Sequence, residues 1–246
     1  MKKILKLIYQ PYKWLFFAPF FFISTFFFGT LAVLLCMIFD PRLPSFLCGS
    51  TWARLNGWLT PMFVKIIGKD NIDKNQSYII AANHQSQYDI FLLYGWLGID
   101  FKWVMKQELR KIPFIGISCE KIGHIFINRF DKKAAVAAIN AAKKKIINGT
   151  SVIFFPEGTR SRTGELGSFK KGAFKMALDL ELPILPVTII GTRNILPPDT
   201  VDLFPGTAVM IIHKPVSVKD YNEDDLQTLS DKVRNIINMP LQESRT

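Results

Sequence analysis

The stretch SYIIAANHQSQYDIFLLYGWL, Ser77 to Leu97, sets the fold class. An apolar run closes on Ala82, and a second apolar run opens at Ile90. Between them lie Asn83, His84, Gln85, Ser86, Gln87 and Asp89, a dense polar cluster holding one of only three histidines. A short continuous apolar run fits a strand buried on both faces, and the longer run after the joint fits a helix. Ser77–Ala82 is therefore expected as a strand and Asp89–Leu97 as a helix, with Ser86 or Asp89 near its start.

The same alternation continues along the chain. Strands are expected over 101–106, 122–128, 151–155, 184–190 and 208–213. Helices are expected over 131–148, 170–180 and 224–238. The 131–148 segment starts at Asp131, is rich in Ala and Lys, and is followed by Gly149, the pattern of a capped helix with a glycine stop. Strands alternating with helices predict an α/β fold with a mostly parallel central sheet flanked by helices. The length, 246 residues, suits one α/β domain with an appendage.

That appendage is N-terminal. Trp14 to Phe39 carries no charge. As a helix it would rise about 39 Å, against a bilayer hydrocarbon core of roughly 30 Å. A core helix of a soluble protein normally keeps a polar stripe, and this run has none. The run is also too long for a signal peptide and lacks a small-x-small cleavage site. Lys2, Lys3, Lys6 and Lys13 precede it without an acidic residue. A single span would hold those lysines on the cytoplasmic side and put everything after Asp40 outside. Asp40–Pro44, DPRLP, is a chain breaker. After it Trp52, Leu55, Leu59, Met62, Phe63 and Ile66 recur at helical spacing, as in an amphipathic interfacial helix. The expected organisation is a two-helix N-terminal membrane anchor over residues 1–67, dipping in and returning, and an α/β domain over 68–246.

The formal net charge is +11, which suits nucleic acid, anionic lipid or a phosphorylated substrate. The anchor argues against nucleic acid. The three cysteines form no CxxC pair and no even framework, as in a reducing compartment. There is no GxSxG elbow, HExxH, GxxxxGK[ST] or GxGxxG.

In open α/β sheets, functional groups gather where strands end. His84 and Asp89 follow the first of the strands listed above. Imidazole can accept a hydroxyl proton near neutrality, and a carboxylate on its other nitrogen fixes its tautomer. Taken alone, these two residues favour a loop-bonded histidine and a helix-capping aspartate over a catalytic pair. Arg129 ends the third strand. FPEGTRSRTGE, Phe155 to Glu165, follows the fourth; its Gly158 can expose backbone N–H groups, and Thr159, Arg160, Ser161 and Arg162 add donors. That composition suits either a phosphate cradle or a solvated basic turn. LPILPV, Leu182 to Val187, reads alone as edge-strand punctuation.

Together these blocks resemble a known family. NHQSQYD (Asn83–Asp89) resembles the NHxxxxD motif of the glycerolipid acyltransferases. GHIFINR (Gly123–Arg129) resembles their second block, FPEGTRS (Phe155–Ser161) their third and LPILPV their fourth, in order and at matching spacing. Asn128 departs from the pattern, standing where Asp is frequent. The likeness lies in the bacterial branch, closest to members that acylate 1-acyl-sn-glycerol 3-phosphate at its sn-2 hydroxyl to give phosphatidic acid. It implies His84 as base and Asp89 as its support. It implies a phosphate site of Arg129 and the Glu157-Gly158-Thr159-Arg160 loop, with Lys106 as helper. Glu157, itself an anion, would buttress the loop or an arginine. The donor would be acyl-CoA or acyl carrier protein as co-substrate, with no tightly bound cofactor and no metal. Further expected partners are lysophosphatidic acid and anionic membrane lipid. The expected location is the bacterial inner (cytoplasmic) membrane, cytosolic face. Rival readings are an enzyme acting on another lysolipid or on glycerol 3-phosphate, and a non-catalytic protein that binds anionic lipid.

Overall fold

A computed structural model describes residues 7, 9–128, 131, 137, 138, 140, 141, 146 and 149–244. Lys2, Lys3, Lys6, Arg129 and most of the helix expected over 131–148 lie outside them.

Two helices come first. The chain is helical from Tyr9 to Leu35, with a π-helical turn at Lys13–Phe17 ahead of α1 (Ala18–Leu35). Pro19 cannot donate to the carbonyl four residues back, which accounts for the widened turn just before it. Asp40 then breaks the chain: its Oδ1 accepts the Arg42 backbone N–H at 2.9 Å and Nε at 3.0 Å. From there α2 (Arg42–Leu59) runs back along α1. Asn56 Nδ2 donates to Ser24 Oγ at 3.1 Å, and Trp52 Nε1 donates to Thr25 Oγ1 at 3.1 Å. The Tyr9 hydroxyl reaches the Thr60 carbonyl at 2.6 Å. These pairings run antiparallel, so the hairpin returns to the end where it began. Lys13 is buried there, donating to the Val201 carbonyl at 2.7 Å.

Among the described residues a seven-stranded sheet has the order β1-β7-β6-β2-β5-β3-β4. Its strands are β1 (Met62–Ile67), β2 (Ile79–Ala82), β3 (Phe101–Lys106), β4 (Ile125–Ile127), β5 (Ser151–Phe154), β6 (Ile184–Ile190) and β7 (Gly206–Ile212). Strands β6, β2, β5, β3 and β4 pair in parallel. β7 pairs antiparallel to β6 and parallel to β1. The central strand β2 is fully buried, as the apolar run predicts. Ile80 and Ala82 face α3 (Tyr88–Trp96) with Leu92 and Leu93. Ile79 and Ala81 face α5 (Gly172–Leu180) and α7 (Leu226–Glu243) with Phe174, Val233 and Ile237. Two short helices, α4 (Ile115–Lys121) and α6 (Thr192–Ile195), are also present among the described residues.

Two expectations need correction. The run Trp52–Ile66 is not one amphipathic helix: α2 stops at Leu59, and Met62–Ile67 is a sheet strand. Met62 and Ile66 are four apart, a spacing that both the helical and the strand period bring to one face. Val64 also turns inward while Phe63, Lys65 and Ile67 point out, which is the strand pattern. The boundary expected after residue 67 thus cuts off a strand that belongs to the sheet, and the hairpin ends before Met62. Nor does α2 lie freely in an interface, for it is wedged between α1 and α3. Arg54 Nε donates to the Gly95 carbonyl at 2.6 Å, and a Cβ on Gly49 would stand 1.6 Å from the Tyr94 ring. The second correction concerns LPILPV, which lies in β6, between β2 and β7 and not at an edge. Pro186 is tolerated because the β7 ladder begins beside it at Val187↔Ile212, and its carbonyl still accepts the His213 N–H at 3.0 Å.

Candidate active site

The register builds the site. Ala81 lies opposite Phe154 in the parallel β2–β5 pair, so Asn83–His84 and Phe155–Glu157 leave the sheet side by side. Asn83 mimics an extra rung of the ladder. Its Nδ2 donates to the Ile189 carbonyl at 2.9 Å, and its Oδ1 accepts the Ile189 N–H at 2.7 Å. That ties the loop to β6 and aims the next residue.

The side chains of His84 and Asp89 meet. His84 Nδ1 lies 2.8 Å from Asp89 Oδ2. The same oxygen accepts the backbone N–H of Gln85 at 2.7 Å and of Ser86 at 2.9 Å. Oδ1 accepts the Thr192 hydroxyl at 2.5 Å. Asp89 stands in the first turn of α3, where the helix dipole favours a negative charge. Its side chain is 0% exposed, against 16% for His84. The pair is therefore anchored at the carboxylate and open at the imidazole. With Nδ1–H donated to Asp89, Nε2 is the nitrogen that can take a proton. The ring is flat against Phe155, centroids 3.8 Å apart and planes within 9°.

The loop after β5 clasps the His84 backbone on both sides. Glu157 Oε1 accepts the His84 N–H at 2.8 Å, and its Oε2 accepts the Gly167 N–H at 2.9 Å. The Ser161 N–H donates to the His84 carbonyl at 2.8 Å. Burial pushes the Glu157 carboxyl up, while the two backbone N–H bonds pull it down. Glu157 thus buttresses the loop, one of the two structural parts expected of it. Gly158 has φ +75°, and a Cβ there would fall 2.7 Å from Lys170 Nζ, so only glycine lets that ammonium lie over the loop.

The expected cations are less gathered. Arg160 Nη2 lies 3.6 Å from Asp199, which also pairs with Arg162 at 2.9 Å. The Thr159 hydroxyl donates to the Arg160 carbonyl at 3.2 Å. Lys106 is exposed at the end of β3, in register with Ile127 of β4. β3 is two strands from β2, or about 10 Å at normal strand spacing. Arg129 lies outside the described residues.

Three contributors were missed from sequence. Thr192 follows β6 through Gly191, whose φ is +90° and where a Cβ would stand 2.2 Å from the Thr207 carbonyl. The signal was a Gly-Thr at the end of a predicted strand; what hid it was strand order, which alone brings β6 beside β2. Lys170 and Phe155 were hidden in the same way.

The α/β sheet thus ends in an aimed histidine on a buried carboxylate, beside a glycine loop topped by the Lys170 ammonium. The acyltransferase family model matches residues 63–190, and the chain belongs to that family. It is 35% identical over 185 residues to the chloroplast 1-acyl-sn-glycerol-3-phosphate acyltransferase LPAT1 of Arabidopsis thaliana, covering 73% of this chain and 51% of that one. It is 33% identical over 194 residues to the 1-acyl-sn-glycerol-3-phosphate acyltransferase of Borreliella burgdorferi, covering 78% and 77%. The crystal structure of the 1-acyl-sn-glycerophosphate (LPA) acyltransferase from Thermotoga maritima superposes with a TM-score of 0.83 at 28% identity, covering 100% of this chain and 98% of that one. The chain spans about half the length of the plant relative.

Proposed function

We propose that the protein transfers a fatty acyl group from an acyl thioester, acyl-CoA or acyl carrier protein, to the sn-2 hydroxyl of 1-acyl-sn-glycerol 3-phosphate, giving phosphatidic acid. The observation that carries this reading is the 2.8 Å contact between His84 Nδ1 and a fully buried Asp89 carboxylate. The activities for which the relatives are named agree with it.

His84 Nε2 takes the proton of the acceptor hydroxyl as its oxygen attacks the thioester carbonyl. Asp89 holds the imidazolium that results and keeps its ring in place. When the tetrahedral adduct collapses, the C–S bond breaks and the imidazolium returns its proton to the leaving thiolate. The thioester is already activated, so the step needs neither a metal nor a bound cofactor. Lys170 over Gly158, Arg160 and Lys106 receive the acceptor phosphate as charge-assisted donors, and the resemblance to the family adds Arg129, which follows Asn128 in the sequence.

The outer face of α1 fits a membrane. Phe22 and Ile23 are exposed, and an 18-residue stretch of the Tyr9–Leu35 helix has a mean hydropathy of 2.0. An antiparallel return by α2 keeps Lys13 and the sheet on one side. In this reading the domain rests on the cytosolic face of a bacterial inner membrane, where an anionic leaflet attracts the basic chain. The test is product formation by purified protein given one acyl-CoA and a panel of acceptors: 1-acyl-sn-glycerol 3-phosphate, a lysolipid without a free phosphate monoester, and glycerol 3-phosphate. Phosphatidic acid from the first alone supports the reading, and turnover of the second at the same rate contradicts the phosphate site.

A further inference from the structure

The apolar outer face does not end with α1. After the 3-10 turn Gln107–Lys111 at the end of β3, the segment IPFIGI, Ile112 to Ile117, carries three large apolar side chains in the open. Ile112 is 39% exposed, Phe114 54% and Ile117 59%. Their position is fixed. Phe114 has φ +64°, a left-handed conformation unusual for a side chain of its size. Gly116 packs so tightly on the Arg110 carbonyl that a Cβ would stand 2.0 Å from it. Arg110 is ion-paired to Glu120 across the turn.

The segment is also joined to α1. The Phe114 ring meets Phe26 edge-to-face, centroids 4.7 Å apart and planes at 81°. A Cβ on Gly29 would be in ordinary contact, 3.4 Å, with Ser118 Oγ. Phe26 itself is 50% exposed, so the two elements form one continuous apolar surface. Exposed Lys106, Arg110, Lys111 and Lys121 rim it, against Glu108 and Glu120.

We infer that Ile112–Ile117 is a second membrane-insertion point, entering an anionic leaflet beside α1. The inference rests on the reading of α1 as the membrane anchor. Continuity with α1 names the partner as lipid, and the basic rim names it as anionic lipid. A hairpin alone leaves the domain free to rock about its axis. A second contact fixes the tilt. Because this segment follows β3 directly, it holds the Lys106 end of the sheet at head-group level, where the phosphate of a lysolipid lies.

The test places a bimane label at Ile117→Cys or at Phe27→Cys of α1, in full-length protein whose Cys36, Cys48 and Cys119 are replaced, on phosphatidylglycerol-containing vesicles doped with bromolipid. Quenching at both positions is expected. Quenching at 27 with none at 117 overturns the second insertion and leaves the anchor reading standing; quenching at neither overturns both. As a second measurement, Phe114→Ser/Ile117→Ser should weaken binding to those vesicles roughly tenfold, since two exposed apolar side chains no longer enter lipid. Unchanged partitioning, with an unchanged melting curve, also overturns it.

Discussion

The two halves of the site are built differently. In the half made by β2, β5 and β6, the polar groups around His84 answer one another, and the ring's Nε2 is left open. Asp89 accepts from His84, Gln85, Ser86 and Thr192, Asn83 closes on Ile189, and Glu157 holds the His84 N–H. In the half made by the ends of β3 and of the long loop, Lys106 and Lys170 are exposed, and Arg160 has only a 3.6 Å pairing with Asp199. The first half fixes a geometry and the second supplies a field. Proton transfer needs atoms within hydrogen-bond reach, which demands a rigid, buried frame. Attraction of a phosphate needs only charge, which tolerates mobile side chains at the surface. Substitutions should therefore separate the halves in size and in kind.

Among substitutions that leave the base itself in place, the largest effect is expected from Asp89→Asn. It removes the buried negative charge, and an amide NH₂ would face one of the donors now satisfied. Turnover should fall by about 10²–10⁴-fold with the Michaelis constants little changed, and the melting temperature should also drop. Full activity in this variant would remove Asp89 from the mechanism.

A step smaller is Thr192→Val. It deletes one hydrogen bond to a charged group, so roughly a tenfold loss of kcat is expected, restored by Thr192→Ser. A loss of stability with no loss of kcat would make Thr192 a packing residue only.

In the charged half, Lys106→Ala and Arg160→Ala should raise the KM for the phosphorylated acceptor several-fold, up to about tenfold, because the contacts are charge-assisted yet solvent-screened. The KM for the acyl donor should move less. Added salt should mimic the rise in acceptor KM seen in these variants and should not reproduce the loss of turnover seen in Asp89→Asn. Equal weakening of donor and acceptor would point to collapse of the loop.

The smallest effect lies away from both halves. His124 is buried against Tyr94 and Trp103, and burial, with Lys102 nearby, holds its imidazole well below the usual range. The unfolded chain takes a proton near pH 6.5, at about the ordinary imidazole pKa, and the folded chain refuses it. Stability from this residue is present above that pH and is lost as the pH falls below it. His213, also lowered by burial, adds in the same direction. Melting temperatures measured from pH 7.5 down to 5.5 should fall more steeply for the natural chain than for His124→Gln; parallel curves would refute the assignment.

The two halves also differ in how far the sequence foretold them. The strand limits of β3 and β6 match the reading residue for residue, because each is an apolar run between turn signals. The spacing of His84 and Asp89 across a strand-to-helix turn lets their side chains meet, but taken alone it favours a capping aspartate; the resemblance to the NHxxxxD motif is what singled the pair out. Thr192, Phe155 and Lys170 were not legible, since their place depends on β6 and β5 flanking β2, which no local pattern encodes. β1 escaped because Met62 and Ile66 satisfy both periods. β7 was expected as a strand over 208–213, but its antiparallel pairing with β6 was not, because an apolar strand carries no mark of direction.

The central claim is that His84 is the base, and it is tested most directly by transfer of a labelled acyl group to 1-acyl-sn-glycerol 3-phosphate on vesicles, comparing the natural chain with His84→Ala. The account predicts a loss of at least about 10²-fold in turnover, with vesicle binding retained and the α/β core still folded by circular dichroism. Near-normal turnover by His84→Ala, with the same fold and the same membrane binding, would contradict it.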